Sequence, residues 1–337
     1  MRSWARDRTR KLDKPLHATT MLNLNDRSCP FCSGTNLRRY SARAHDADQR
    51  RVNIVECRVC QTGWQWPLQR TEQQSVTEFE TAYSKHQEGT YFDLQNRQAV
   101  AKCQFEFLKV KVGKSGRLLD IGCGDGQFAR HMANRGWDVV GLDPALPGDV
   151  TEELAAGRLS LQRHSISELP SHQLFDLITL WDVVEHVERP DQLISEAAAR
   201  MAPGGILVVE TGNYQSAGRV NSEDTWWNYQ LDHRWYLAPP QLSALLMGAG
   251  LTPIELSDQV LRPWWKGQPD MPPPSLVVLA KTIAKSPWRA WSALRRHYKL
   301  LQVRKQWEGW GGLEIMTMLG RKCAAHEALA NDGQLRI

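Results

Sequence analysis

From Arg117 onward the chain alternates short apolar runs with amphipathic ones. Residues 117–121 (RLLDI) are a compact apolar run of strand length, and GCGDG (Gly122 to Gly126) follows as a glycine-rich turn. Phe128 to Gly136 (FARHMANRG) has the pattern of a helix stopped by its last glycine. Trp137 to Leu142 is a second strand-like run, and Asp143 stands directly after it. Strand, glycine turn, helix, strand and acid together predict one half of a doubly wound nucleotide-binding sheet. Upstream, residues 71–112 are polar and read as helical. Downstream, Trp288, Trp291, Leu294, Tyr298 and Leu301 recur at spacings of three or four, with Arg289, Arg295, Arg296, Lys299, Arg304 and Lys305 between them. They predict a basic amphipathic helix over residues 286–307, capped by Ser286 and Pro287, with a last helix near Leu313 to Leu329.

A different signal precedes the sheet. Cys29-Pro-Phe-Cys32 and Cys57-Arg-Val-Cys60 are two Cys-x-x-Cys pairs flanking a strand-like Val52-Asn-Ile-Val55. In each pair the short gap brings both sulfurs to one point, and Gly34 and Gly63 are expected to let the backbone turn just beyond. Four thiolates at this spacing predict a closed, tetrahedral, structural zinc site in a ribbon, with no coordination position left for water. A redox dithiol would need a strand-helix context that is absent here.

Charge and apolar content narrow the class. No apolar run reaches the roughly 20 residues of a membrane-spanning helix, and no secretory leader pattern opens the chain. Seven cysteines without such a leader read as thiols or metal ligands in a cytoplasmic protein. Residues 1–17 carry six basic against two acidic groups and residues 281–337 eleven against four, which leaves the stretch between them net acidic by about six. That balance disfavours nucleic acid as the partner of the core. The basic 286–307 helix has two readings, docking on the core or peripheral contact with the inner membrane face.

The glycines fall as Gly122-x-Gly124-x-Gly126, tighter than the dinucleotide spacing, and Asp120 and Asp125 flank the turn. Two carboxylates repel a pyrophosphate and suit a cationic ligand. LLDIGCGDG with Asp143 after the next strand resembles the first two motifs of class I S-adenosylmethionine-dependent methyltransferases. The resemblance extends over residues 85–283. It implies that Gly122, Cys123 and Gly124 lie against S-adenosyl-L-methionine, that Asp120 holds its amino-acid end, and that Asp143 accepts both ribose hydroxyls, as a two-oxygen acceptor can. Where the family usually carries an acid for the adenine amino group, this chain has Ser165, which leaves that contact to its hydroxyl or to the backbone of Ile166. Tyr91, with Phe92, falls where the family has a lid helix.

FDLITLWDVVEHVERP (Phe175 to Pro190) matches the fourth strand and its turn, where the family places cofactor and substrate side by side, which implies that Trp181 contacts the cofactor. The tetrad used on exocyclic amines is missing, which favours an oxygen or carbon acceptor. PGGILVVETGN (Pro203 to Asn213) matches the fifth strand. Strands six and seven are expected at Pro253 to Leu261 and Leu276 to Thr282. Asp232-His233 is similar to the acid-His pair of bacterial sugar carbon-methyltransferases, which makes His233 the first candidate base; a helix-capping role is the alternative. Asp182, Glu185 and His186, at i, i+3 and i+4, fit one helix face. They resemble the metal triad of ubiquinone-pathway oxygen methyltransferases, against which stands a capping or substrate-contact role. Trp226, Trp227, Trp235, Trp264 and Trp265 are expected on loops at the mouth, either as a platform for a sugar or flat acceptor or as packing of the loops themselves.

These readings sum to an α/β enzyme: a basic tail (1–20), a zinc ribbon (21–70), a Rossmann-like, doubly wound seven-stranded methyltransferase domain (71–283) and a helical extension (284–337). The expected acceptor is carbon or oxygen of a nucleotide- or lipid-linked sugar. A quinone-like small molecule, ribosomal RNA, or a non-catalytic cofactor-binding scaffold are the alternatives.

Overall fold

The computed structural model describes residues 27–44, 50–85, 92–146, 148–154, 156–257, 261–262, 291 and 314–323. Tyr91, Trp264, Trp265, the segment Leu276 to Thr282, the basic tail 1–20 and, except for Trp291, the 286–307 helix lie outside the described residues.

The chain opens with a meander, β1 (Leu37–Arg43), β2 (Arg51–Cys57) and β3 (Gly63–Gln65), paired antiparallel in that order. Two helices follow, α1 (Glu72–Lys85) and α2 (Leu94–Leu108). Asp93 caps α2 by accepting from the backbone of Gln95 and Asn96, which satisfies amide donors that the first turn leaves without partners. Then come β4 (Arg117–Ile121), α3 (Gln127–Ala133), β5 (Asp138–Leu142), β6 (Val150–Glu153), β7 (Arg158–Gln162), β8 (Phe175–Trp181), α4 (Pro190–Ala199), β9 (Met201–Gly212), α5 (Ala217–Ser222), the two-residue β10 (Trp235–Tyr236), α6 (Pro239–Gly248), β11 (Thr252–Ser257) and β12 (Ile315–Arg321).

Eight of these strands form one mixed sheet in the order β11-β12-β9-β8-β4-β5-β7-β6. The central pairs are parallel, while β12 runs antiparallel to both β9 and β11 and β6 runs antiparallel at the far edge. The parallel strands are apolar on both faces (β8 and β4 are almost wholly buried), as expected when helices cover both sides. The predicted seven-strand sheet therefore gains an edge strand, β6. Its antiparallel strand is not the expected Leu276 to Thr282. Ile315–Arg321, read from sequence as part of a helix, fills that place and is buried along six of its seven residues. An apolar run this short has no decisive period, and only the vacant slot between β9 and β11 selects the strand.

The expected boundary at residue 70 is not a physical seam either. β10, from the loop after β9, adds to the meander as its fourth strand, pairing Trp235 with Trp64 and Tyr236 with Gly63. One continuous apolar core holds Cys29, Phe31, Cys57 and Trp64 together with Ile178, Leu180, Val209 and Leu242 of the large sheet.

Candidate active site

The four cysteines converge as their spacing predicts. Sγ of Cys29 lies 3.4 Å from Sγ of Cys60, Sγ of Cys32 lies 3.5 Å from Sγ of Cys57, and all four lie within 4.8 Å of one another. None is in a disulfide. Tetrahedral zinc with bonds of about 2.3 Å requires sulfurs about 3.8 Å apart, so the cage is the right size for zinc. Crowding drives the Cys60 thiol up to about 12 and the Cys57 thiol down, a cluster of competing sulfurs that a cation would relieve. The tight turns belong to Ser33 and Gln61, at φ 55° and 61°, and not to the expected Gly34 and Gly63. Gly63 has a different use: a Cβ there would stand 2.7 Å from the ring of Tyr214.

On the large sheet, the Gly122 and Gly124 turn has left-handed backbone at both glycines, and a Cβ at Gly122 would stand 2.4 Å from Val183. The Gly124 amide donates to Asp143 Oδ2 at 2.8 Å and the Ala145 amide to Oδ1 at 2.7 Å, so the acid after β5 is fixed against the turn. Asp120 is wholly buried, accepts from the Thr179 hydroxyl at 2.7 Å, and is pushed up to about 7 by burial. A buried acid poised there becomes ionised at neutral pH once a cation faces it. Cys123 is buried against Gly141. Trp181 packs edge-on against Phe128 at 5.4 Å, and its buried indole nitrogen has no partner among the described residues. Two residues that sequence reasoning missed border the turn. Arg97 pairs with Asp125 and stacks on Tyr83 at 4.6 Å, and both reach within about 3 Å of the Gly124 Cβ position. No motif announces them, because they come from α1 and α2 and meet the turn only in the folded chain.

Ser165 does not stand free for an adenine ring. Its hydroxyl and amide both bond Glu168, capping a single helical turn, while Ile166 is buried behind it.

The turn after β8 meets the loop before β10. Glu185, His186 and His233 each bring one donor atom within 4.8 Å of the others, and the two imidazoles cross edge to face at 4.6 Å. Asp232 pairs with Nδ1 of His186 at 3.3 Å and not with the neighbouring His233, a correction to the expected dyad. The pair lifts His186 to about 9 despite its burial, and holds Asp232 below the usual carboxylate range. His233 is driven the other way, to about 4, by burial and the adjacent His186 cation. At pH 7 the site therefore presents an imidazolium–carboxylate pair beside a neutral imidazole. His233 Nδ1 and Glu185 Oε2 are buried with no partner among the described residues, and burial pushes Glu185 up to about 7. Phe79 of α1 closes the group edge-on to His186 at 5.5 Å.

Asp182 is not on a shared helix face with these residues. The segment is a turn, Asp182 takes φ 55°, and its carboxylate pairs with Arg262, which also bonds Glu210 at 3.1 Å. The expected triad thus loses Asp182 and gains His233 from another loop. Trp226 and Trp235 are not part of an open platform: both are fully buried, packed with Tyr214, Tyr229 and Tyr236 or against Phe31, while Trp227 is half-buried beside Trp226.

Residues 91–256 match the family described as "Methyltransferase domain". The ubiquinone biosynthesis O-methyltransferase of Rhodopseudomonas palustris (strain BisB5) is 30% identical over 169 residues, 46% of this chain and 67% of that protein. The protein of the same name from Dinoroseobacter shibae is 32% identical over 183 residues, 51% of this chain and 74% of its own length. Among solved structures, Burkholderia thailandensis 1,6-didemethyltoxoflavin-N1-methyltransferase with bound 1,6-didemethyltoxoflavin and S-adenosylhomocysteine is 14% identical, with a TM-score of 0.48 over 84% of this chain and 100% of that one.

Proposed function

Because the chain belongs to the S-adenosylmethionine-dependent methyltransferases, we propose that it methylates an oxygen of a small acceptor, with His233 as the general base. S-adenosylmethionine, when bound, supplies an electrophilic methyl group on a sulfonium. Asp143 is suited to the ribose hydroxyls, since the two backbone bonds that fix its carboxylate leave lone pairs for a diol. Asp120 is suited to the ammonium group and Arg97 to the carboxylate at the amino-acid end. Gly122, Cys123 and Gly124 would contribute backbone. The exposed Ser165 hydroxyl, bonded to Glu168, leaves the adenine contact to the backbone of Ile166.

The observation that carries the proposal is the neutral His233 imidazole with a buried Nδ1 that no described residue bonds. An acceptor hydroxyl donating to that nitrogen loses its proton to His233 as its oxygen takes the methyl group in line. The His186–Asp232 pair, already charged, steadies the oxygen as negative charge develops on it. Phe79 lies edge-on to His186 beside the pair. The relatives named ubiquinone biosynthesis O-methyltransferase favour an oxygen acceptor. His233→Gln is expected to lower kcat by roughly a hundredfold or more, the worth of a positioned base, with cofactor affinity kept. Catechol and hydroquinone acceptors assayed with methyl-labelled cofactor test this; unchanged kcat sinks the role of His233.

A second reading is favoured by the orphaned oxygen of Glu185. Glu185, His186 and His233 have the donor set and spacing for a divalent ion, which would hold paired acceptor oxygens. Uptake would displace the His186 proton and so strengthen as pH rises. Calorimetric titration with magnesium and manganese, hard ions that the thiolate cage does not favour, distinguishes the readings, since the acid-base site alone takes up neither. Zinc in the Cys29, Cys32, Cys57 and Cys60 cage would be structural, with four thiolates and no open position.

A further inference from the structure

We propose that the four-cysteine centre positions the reacting histidines, and that Trp235 is the positioning residue through which it acts. The inference rests on the reading of His233 as the base. Both cysteine knuckles end on Trp235. Phe31, between Cys29 and Cys32, meets its ring edge-on at 5.6 Å and 87°. The second knuckle leads into β3, where Trp64 is the ladder partner of Trp235 and the Gln65 amide donates to the Arg234 carbonyl at 2.9 Å. Gln241, at the start of α6, ties the far side by donating to the Cys60 carbonyl at 2.7 Å.

Trp235 then reaches the acid-base group from the opposite side. Its indole nitrogen donates to the Val187 carbonyl at 3.0 Å, its backbone amide to the Glu185 carbonyl at 3.2 Å, and the Arg234 amide to that same carbonyl at 2.7 Å. His233 lies two residues before Trp235, and His186 lies between the two carbonyls that Trp235 bonds. The two loops that carry Asp232, His233, Glu185 and His186 are thus held in register by one fully buried indole, and that indole is seated on the cysteine knuckles.

The meander cannot hold this seat alone. Residues 27–36, which carry Phe31, form no helix or strand, so the cysteines fix their course, and in such modules metal affinity is folding energy. Emptying the cage frees Phe31 and β3, and Trp235 loses its ladder partner. The cofactor turn shares the apolar core through Leu119 and Ile121 and touches Val183 through Gly122, but the bonds that fix it, from the Gly124 and Ala145 amides to Asp143, involve none of Phe31, Trp64 or Trp235. Coupling should therefore reach the histidines and spare the cofactor.

The full chain, with zinc content measured, provides the test. Trp235→Phe keeps an aromatic ring against Phe31 and removes the donor to Val187 together with part of the buried indole's volume. Its kcat should fall about tenfold or more, as for a small misplacement of a base, with KM and Kd for S-adenosylmethionine within about twofold and the native melting transition retained. Stepwise mercurial titration should release zinc and lower kcat in parallel, and the imidazole Hε1 resonances of His186 and His233 should move while cofactor affinity holds. The resonances are read without any acceptor, so a failed acceptor assay would count against the function and not against the coupling. Unmoved resonances in the zinc-depleted protein, or a Trp235→Phe enzyme of unaltered kcat, would overturn the proposal. Joint loss of cofactor binding and histidine order would also overturn it, because the centre would then hold the whole fold.

Discussion

Asp120 and His233 are buried to similar depth, and burial drives them to opposite effect. For Asp120, removal from water raises the carboxyl to about 7. The native state then prefers the protonated acid, and its contribution to stability falls as pH rises from the ordinary carboxylate range through about 7. A cationic ligand reverses the preference, since it binds the ionised form. Cofactor affinity should therefore weaken by up to tenfold per pH unit below about 7, and Asp120→Asn should flatten that dependence while lowering affinity at pH 8. Calorimetric titration between pH 5.5 and 8 checks both; a flat profile in the native protein would remove Asp120 from the amino-acid end. For His233, burial keeps the ring neutral down to about 4, so activity should not be lost through its protonation until well below pH 6. The glycine turn and Asp143 were legible in sequence because they lie within one strand-turn-helix-strand unit. The partner of Asp232 was not, because the competition between His186 and His233 is decided by a loop 46 residues away.

Elements carry information that their own residues lack. β10 has two residues and no strand pattern of its own, and it exists only because β3 offers a free edge. Gly63 shows how closely that edge is fitted. In sequence it sat beside Cys60 as a turn glycine; in the fold it is the first residue of β3, and the Tyr214 ring occupies the space a side chain would need. That ring has no room to retreat, since its hydroxyl bonds Tyr40 at 2.6 Å and Glu56 at 3.0 Å, and Arg219 stacks on it at 4.0 Å. Gly63→Ala should therefore cost about 1–3 kcal/mol, the range for overpacking a filled core. Chemical denaturation measures it, and an effect below 0.5 kcal/mol would mean that Tyr214 yields. The helical stretch 71–112 was legible by composition. Its division into α1, which sets Phe79 and Tyr83 over the site, and a capped α2 was not, because α1 has no fully buried face to impose a period.

At the scale of the molecule, the two halves of the large sheet differ in how far apart their strands lie in sequence. From β4 to β9 each parallel strand follows its predecessor by a short crossover, and the alternation of apolar runs announces it. β12 enters from Ile315 to sit between β9 and β11, with residues 258–314 intervening after β11. A periodicity argument assigns the nearest apolar run to that slot, and Leu276 to Thr282 was nearer. The choice has a direct consequence. If residues 284–337 were an appended extension, a chain ended at residue 283 would fold and bind cofactor. With Ile315–Arg321 as the inner strand, that truncation removes a partner from β9 and from β11 and uncovers β9 from Ile206 to Gly212, an apolar edge open to other chains. It also removes Thr317, whose hydroxyl donates to the buried Glu210 at 3.3 Å, next to the Arg262 pair that holds Asp182. The shortened chain should be recovered only as aggregate, whereas a chain ended at residue 323 should be soluble and show the full protein's cofactor-induced thermal shift. Size-exclusion chromatography and thermal melts of the two truncations decide it. A soluble, cofactor-binding 1–283 chain would return the slot to Leu276–Thr282.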